Sequence, residues 1–274
     1  MRRRSRERWW SRHDEWTSEL SSSLALAGFL FFAFVAFTLL AIAPLAYLDT
    51  YLSIGSPPPH WLGTLHVVDR VGQRAVCVPL LGIVTWVACR HVRSWRPAWV
   101  VAASVFLLNL VVLILKVGLG RGHAGSDPAF FVGGMAYPSG HTANIVLVYG
   151  LAAYLLVRYR DVSRRAGLLL WTGVCVLAVV MFITSLSLDW HWFADLVAGL
   201  LVGATMLQLT VAADSAVPDT ALHEGPRVAL AWLRREAAAR WSARGPERWS
   251  LRRAASGSAA RSRRPADRER QDAA

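Results

Sequence analysis

The stretch Tyr137-Pro138-Ser139-Gly140-His141-Thr142 lies where a polar, glycine-rich loop meets an apolar run that continues to Val157. Proline and glycine end the loop, and we expect His141 to lie in the first turn of a helix over 141–157. The first turn of a helix carries free backbone N–H groups and the positive end of the helix dipole, which suits a phosphate group. The stretch therefore predicts an anion site at the start of an apolar helix.

Two further polar clusters lie at the borders of apolar runs. Residues 116–123 read Lys-Val-Gly-Leu-Gly-Arg-Gly-His, and residues 191–195 read His-Trp-Phe-Ala-Asp. Lys116 is the only lysine in the chain. Together with 137–142, these clusters indicate a phosphate site built on helix ends.

The apolar runs predict an all-α, polytopic membrane protein, because 54% of the 274 residues are hydrophobic and the runs approach the roughly 20 residues that a membrane span needs. Six spans are expected, with the second the shortest. They cover about 24–48, 74–88, 98–115, 141–157, 168–188 and 191–212. The segment between the first two spans, 49–73, is expected to be a partly interfacial loop.

The flanking segments are basic and polar, and the chain carries a net charge of +12. We therefore divide it into a cytoplasmic N-terminus (1–22), a membrane domain (23–213) and a largely disordered cytoplasmic tail (214–274). Within the tail, 228–241 has the pattern of a short amphipathic surface helix. Basic residues of this kind can attract nucleic acid by charge, but the tail has no motif that recognises bases. No nucleic-acid partner is therefore expected.

Arginine placement predicts the orientation in a plasma membrane. The N-terminus carries six arginines, and the turns after the second and fourth spans carry three and four. The opposite loops carry fewer, so both termini are expected in the cytoplasm. The three polar clusters then all fall on the extracytoplasmic side.

No metal or cofactor is expected. The three cysteines, Cys77, Cys89 and Cys175, lie in or beside apolar runs, and their spacing fits neither a metal site nor a disulfide framework. The expected partners are the lipid bilayer and a lipid substrate. The pattern makes no prediction of oligomeric state.

His191 and Asp195 are four residues apart at a helix start, so they share one face. Asp195 can accept a hydrogen bond from one imidazole nitrogen, which leaves the other nitrogen as a nucleophile. The alternative is a structural pair that anchors the helix at the interface.

His141 is the candidate general acid, and the backbone N–H groups of Ser139 and Gly140 are candidates to hold phosphoryl oxygens. The alternative for this stretch is an ordinary helix start with an interfacial histidine. Lys116 and Arg121 are the candidate cations for an anion that gains charge in the transition state. Their alternative is snorkelling at the membrane surface.

These residues resemble the type 2 phosphatidic acid phosphatase family, the membrane lipid phosphate phosphatases related to vanadium haloperoxidases. The family's motifs are Lys-x6-Arg-Pro, Pro-Ser-Gly-His and Ser-Arg-x5-His-x3-Asp. The second is intact at 138–141, the third keeps His191 and Asp195, and the first keeps Lys116. The resemblance covers about residues 24–212.

The chain departs from the family at both motif arginines, which fall on His123 and Ser185. Arg121 lies two residues before the first of these positions, and His123 can donate a hydrogen bond. Serine cannot replace a bidentate guanidinium at position 185.

The resemblance implies a six-helix bundle and a metal-independent phosphatase acting on a lipid phosphate or pyrophosphate. His191 would form a phosphohistidine, Asp195 would orient it, and His141 would protonate the leaving oxygen. Lys116, Arg121, His123, Ser139 and Gly140 would bind the phosphate. Two alternatives stay open: a transferase that passes the phosphoryl or head group to another acceptor, and a non-catalytic binder of lipid phosphates.

Overall fold

The computed structural model describes residues 2–42, 46–52, 57–125, 128–160 and 162–216, with isolated helical residues at 234 and 238. The secondary structure over these ranges is helical. The helices are α1 (Arg2–Ile42), α2 (Ala46–Tyr51), α3 (Pro59–Arg70), α4 (Arg74–Val92), α5 (Arg96–Leu119), α6 (Gly140–Asn144), a π-helical turn (Ile145–Tyr149), α7 (Gly150–Tyr159), α8 (Arg164–Ser187) and α9 (Phe193–Ala216).

Six helical segments within the described residues are long and apolar enough to cross a membrane, as the sequence predicted. They are Leu20–Ile42, Pro59–Val92, Arg96–Leu119, Gly140–Tyr159, Arg164–Ser187 and Phe193–Ala216. The fourth and sixth are mostly buried inside the protein, whereas most residues of the other four are not. The core is therefore a central pair of helices, surrounded by helices whose outer faces suit lipid.

Two glycines of α9 allow this central pair to pack closely. A side chain at Gly199 would collide with the hydroxyl of Thr142 and would lie 2.5 Å from the carbonyl oxygen of Ser139. One turn further on, a Cβ at Gly203 would lie 2.6 Å from the carbonyl oxygen of Ala143. Small residues at this spacing bring two membrane helices into backbone contact.

One end of the bundle, which we call the site end, gathers the polar clusters. There α5 ends at Leu119, α6 begins at Gly140 and α9 begins at Phe193. At the opposite end, a buried ion pair between Arg96 and Asp214 joins α5 to α9, with a nitrogen–oxygen distance of 2.6 Å. Tyr154 and Tyr159 also donate hydrogen bonds to the Asp214 carboxylate.

The structure corrects parts of the predicted organisation. The segment 49–73 is not simply a loop, because α2 and α3 occupy much of it, and α3 continues into α4 as one long segment. The sixth span continues past 213 to Ala216, and its Asp214 is buried. Most of the predicted tail, including nearly all of 228–241, lies outside the described residues.

Candidate active site

Asp195, fully buried in the first turn of α9, holds His191. Its Oδ2 lies 3.4 Å from Nδ1 of His191 and accepts the backbone N–H of Trp192 at 3.1 Å. The geometry leaves Nε2 of His191 as the nitrogen turned away from the carboxylate, on a side chain that is partly exposed. The contact between the two side chains agrees with the sequence prediction, but His191 lies before α9, which begins at Phe193, and not on one helical face with Asp195.

Arg121 lies in a different setting from the one expected of a phosphate-binding residue. Its side chain is fully buried, and Nη1 donates to Oδ1 of Asp195 at 2.7 Å while Nη2 donates to Asp49. Its Nε donates to the carbonyl of Pro128 at 3.0 Å. The guanidinium also lies 4.7 Å from the ring centroid of Phe130. These contacts make Arg121 the counter-ion of two buried carboxylates.

Asp49, from α2, belongs to the same charge cluster. It is buried, and Oδ1 accepts the backbone N–H of Ala194 at 2.8 Å while Oδ2 accepts from Arg121. The amide of Ala194 is one of the unpaired donors at the start of α9, so Asp49 caps the helix that carries Asp195. Sequence reasoning did not identify Asp49, which directly follows the first apolar run and matches none of the motifs.

Ser139 caps α6 and joins the two histidine-bearing segments. Its Oγ accepts the backbone N–H of Thr142 at 3.5 Å, and its own N–H donates to the carbonyl of Asp195 at 2.9 Å. The Ser139 amide is therefore engaged by α9, whereas it was expected to bind phosphate. Gly140 and His141 open the helix, where backbone amides have no carbonyl four residues earlier within the helix.

The loop between α5 and α6 folds back onto the end of α5. Gly120 ends that helix with φ of 50°, and its carbonyl accepts the amides of Val132 and Gly134. The Lys116 ammonium donates to the carbonyl of Met135 and lies 3.4 Å from that of Ala136. His123 is exposed on this loop.

Tyr137 packs the loop between α5 and α6 against the first span. Its hydroxyl is hydrogen-bonded to Oγ1 of Thr38 at 2.7 Å, and its ring packs edge-on against Phe130 with centroids 5.2 Å apart. Burial raises the pKa of Tyr137 to about 12, so the phenol stays neutral in the working range.

The three polar clusters, 116–123, 137–142 and 191–195, meet at the site end. His141 and Trp190 have ring centroids 6.3 Å apart, and His191 acts electrostatically on His141. Lys116 and Arg74 are near enough to do so too. Arg74, at the start of α4, was not identified as a site residue, because it read as the edge of an apolar run.

Asp69 is a second acidic residue that sequence reasoning missed. It lies at the end of α3, is fully buried, and accepts from the Gln73 amide at 3.3 Å through Oδ2. Its Oδ1 has no hydrogen-bond partner among the described residues, and the same holds for Oγ of Ser185. Over the described ranges, no group of three or more His, Cys, Asp or Glu is placed to hold a metal ion.

Comparison with known proteins finds a family model, a relative and a solved structure that are similar to this chain. A family model described as the PAP2 superfamily matches residues 75–217. Phosphatidylglycerophosphatase B of Bacillus subtilis (strain 168) is 24% identical over 160 residues, covering 57% of this chain and 77% of the relative. A crystal structure described as the first transmembrane PAP2-type phosphatidylglycerolphosphate phosphatase from Bacillus subtilis matches with a TM-score of 0.57 at 18% identity. The match covers 70% of this chain and 98% of that one.

Proposed function

Because this chain belongs to the PAP2 superfamily, we propose that it releases phosphate from a membrane lipid through a phosphohistidine formed on His191. It is a multi-pass membrane protein and a lipid phosphatase of the PAP2 type. The observation that carries the mechanism is the contact of Asp195 with Nδ1 of His191, at 3.4 Å. That contact supports a proton on Nδ1, and in the proposed mechanism the lone pair of Nε2 is then the nucleophile.

In the proposed reaction, Nε2 of His191 attacks phosphorus and the bond from phosphorus to the lipid oxygen breaks. His141 donates its proton to that oxygen, and the dephosphorylated lipid leaves. Water then attacks the phosphohistidine and gives a proton to neutral His141. Inorganic phosphate leaves, and both histidines return to their starting states.

The phosphate is held by positive charge and backbone amides. Lys116 and the amides of Gly140 and His141 are the groups that we assign to the phosphoryl oxygens. Arg121 is assigned to holding Asp195, since its guanidinium is buried between two carboxylates. Arg74 adds positive charge close to His141.

The substrate is proposed to be a lipid phosphate monoester, with phosphatidylglycerol phosphate the first to test because a relative is named for it. Phosphatidate and a polyprenyl pyrophosphate complete the panel. Phosphate release by the purified protein is measured with a chelator present, beside His191→Ala. Release by the wild type alone supports the proposal. Release by both proteins, or by neither, contradicts it.

The site is proposed to face the extracytoplasmic side, with both termini in the cytoplasm. The support is the excess of arginine in the turns at the opposite end, which contain Arg90, Arg93 and Arg164. A reagent that cannot cross the membrane should therefore reach the loop after α5 from outside the cell.

A further inference from the structure

We propose that a groove between α4 and α5, at the end of the bundle opposite the site end, binds an anionic phospholipid. This α4–α5 groove is lined by residues from Val78 on α4 to Phe106 on α5 and has a volume of about 1120 Å³. Pockets for small molecules usually measure about 300–1,000 Å³, so the groove has room for a larger ligand. The inference goes beyond the proposed reaction and does not depend on it.

The walls of the groove are one face of each helix. On α4 the lining residues recur every three or four positions, as in Val78, Leu81 and Thr85. The same spacing recurs on α5, in Ala98, Val101 and Val105. The hydroxyl of Thr85 donates to the carbonyl of Leu81 at 2.7 Å, so its proton is used within α4. The interior of the groove therefore suits an acyl chain.

The length of the groove matches one leaflet of a bilayer. At 1.5 Å per residue, α4 rises about 22 Å from Val78 to Arg93, and α5 rises about 17 Å from Trp95 to Phe106. A bilayer with its headgroup regions is about 40–45 Å thick, so one leaflet is about 20–22 Å deep. A lipid whose headgroup lies at the α4–α5 turn can therefore extend its chains along the groove.

The groove is open along the side that faces the membrane. Val78, Trp86 and Phe106 line it and are exposed, although they are large apolar side chains. A Cβ on Gly82, which also lines the groove, would meet nothing within 4 Å. A lipid chain can therefore enter from the bilayer without moving a helix.

The mouth of the groove is positively charged. Arg90 and Arg93 line it, and both are exposed. Neither pairs with a carboxylate in the part of the chain that the structure describes, whereas the neighbouring Arg96 is paired with Asp214. The segment 78–106 contains no Asp or Glu that could take the ammonium group of a zwitterionic lipid. The mouth therefore complements a headgroup of net negative charge.

Other side chains at the mouth suit the level of the lipid headgroups. Trp86 and Trp95 are exposed there, as tryptophans at membrane–water interfaces are. The guanidinium of Arg90 lies 5.7 Å from the ring centroid of Trp86. Oγ of Ser94 accepts the amide of Arg96 at 3.3 Å, which leaves the Ser94 hydroxyl proton for a phosphate oxygen.

The mouth is remote from the candidate active site. Arg74, near His141, and Arg90 are 16 residues apart on α4, which corresponds to about 24 Å. Lys116 and Arg96 are 20 residues apart on α5, or about 30 Å. A headgroup at the mouth therefore lies in the leaflet opposite the one that the site end faces, so this lipid is not the substrate in its reacting position.

The test measures which lipid the full-length protein retains. The protein is purified in detergent, mixed with equal amounts of dioleoyl phosphatidylglycerol and dioleoyl phosphatidylcholine, and examined by native mass spectrometry. The wild type should retain phosphatidylglycerol in preference. Arg90→Gln with Arg93→Gln should weaken that binding roughly 30-fold, because each basic residue near an anionic membrane surface contributes about a factor of five. Arg164→Gln with Arg165→Gln removes two exposed charges at the same end and should behave as wild type.

A second variant fills the groove without changing its charge. Gly82→Leu adds a side chain where the structure leaves open space, so it should fold and lose the retained phosphatidylglycerol. Gly173→Leu is the matched control, because a Cβ at Gly173 on α8 also meets nothing within 4 Å. Gly173 does not line the groove, so this variant should retain the lipid.

Equal retention of the two lipids by the wild type would overturn the proposal. Unchanged phosphatidylglycerol binding in the double arginine variant or in Gly82→Leu would overturn it as well, since the retained lipid would then lie elsewhere. A dimer that Gly82→Leu dissociates would show that a second copy of the chain occupies the groove instead.

Discussion

Replacing Arg121 by methionine distinguishes its two candidate roles, phosphate binding and support of Asp195. Arg121→Met removes the positive charge between Asp49 and Asp195 while keeping a long side chain. Breaking a buried ion pair by removing one partner costs about 3–5 kcal/mol, because the remaining charge is left uncompensated. Here two buried carboxylates lose their counter-ion, so we expect a loss at the upper part of that range.

The free energy of unfolding is measured by reversible unfolding in mixtures of SDS and a mild detergent. A loss of about 4–5 kcal/mol lowers the folding equilibrium constant by roughly a thousandfold or more, since about 1.4 kcal/mol corresponds to a factor of ten. Arg165→Met, on an exposed side chain in the first turn of α8, is the matched control and should change stability by less than about 0.5 kcal/mol.

Activity should fall mainly in kcat, because Asp195 loses the contact that fixes it against His191. Adding Asp49→Asn to Arg121→Met should recover about 1–3 kcal/mol of stability by removing one of the two orphaned charges. A stable Arg121→Met enzyme whose only defect is a raised KM for the lipid phosphate would refute this assignment and restore Arg121 as a phosphate ligand.

Two further predictions concern packing and orientation. Gly199→Ala should cost at least about 1–3 kcal/mol and abolish phosphate release, because the added methyl meets Thr142 and the Ser139 backbone, whereas Gly173→Ala on α8 meets nothing and should be neutral. Unimpaired activity of Gly199→Ala would contradict the close packing of the two central helices. In a variant without the native cysteines, an impermeant maleimide applied to intact cells should label His123→Cys but not His91→Cys. The opposite labelling pattern would reverse the proposed orientation.

The apolar runs were sufficient to predict six spans, because a membrane helix must pair all its backbone groups internally and therefore needs a long apolar stretch. They were also sufficient to place the three polar clusters at one end. They were not sufficient to bound the second span, which begins at Pro59 and not at 74. The Asp195–His191 contact was predicted from the four-residue spacing, but its structural basis differs, because His191 lies before α9, which begins at Phe193, and not on the same helical face as Asp195. The roles assigned to these side chains remain proposals.

Asp49 and Asp69 could not be found in the same way. Both lie in the segment 49–73, where the pattern is neither continuously apolar nor clearly periodic, so the segment was predicted to be a loop. Asp49 is buried because α2 packs on α9, and Asp69 lies at the end of α3, which packs on α8; both packings are tertiary contacts. The ion pairs of Arg121 with Asp49 and Asp195 could not be predicted either, because no local sequence pattern indicates which carboxylates a buried guanidinium will contact.

The central claim is that the phosphoryl group passes through His191, and trapping the intermediate tests it most directly. The purified enzyme is mixed with a lipid carrying radiolabelled phosphate, quenched rapidly, and digested for mass spectrometry. The account predicts an acid-labile, alkali-stable phosphoryl group on His191 in the wild type and none in His191→Ala. Phosphate release by the wild type with no trapped phosphohistidine, or with the label on another residue, would contradict it.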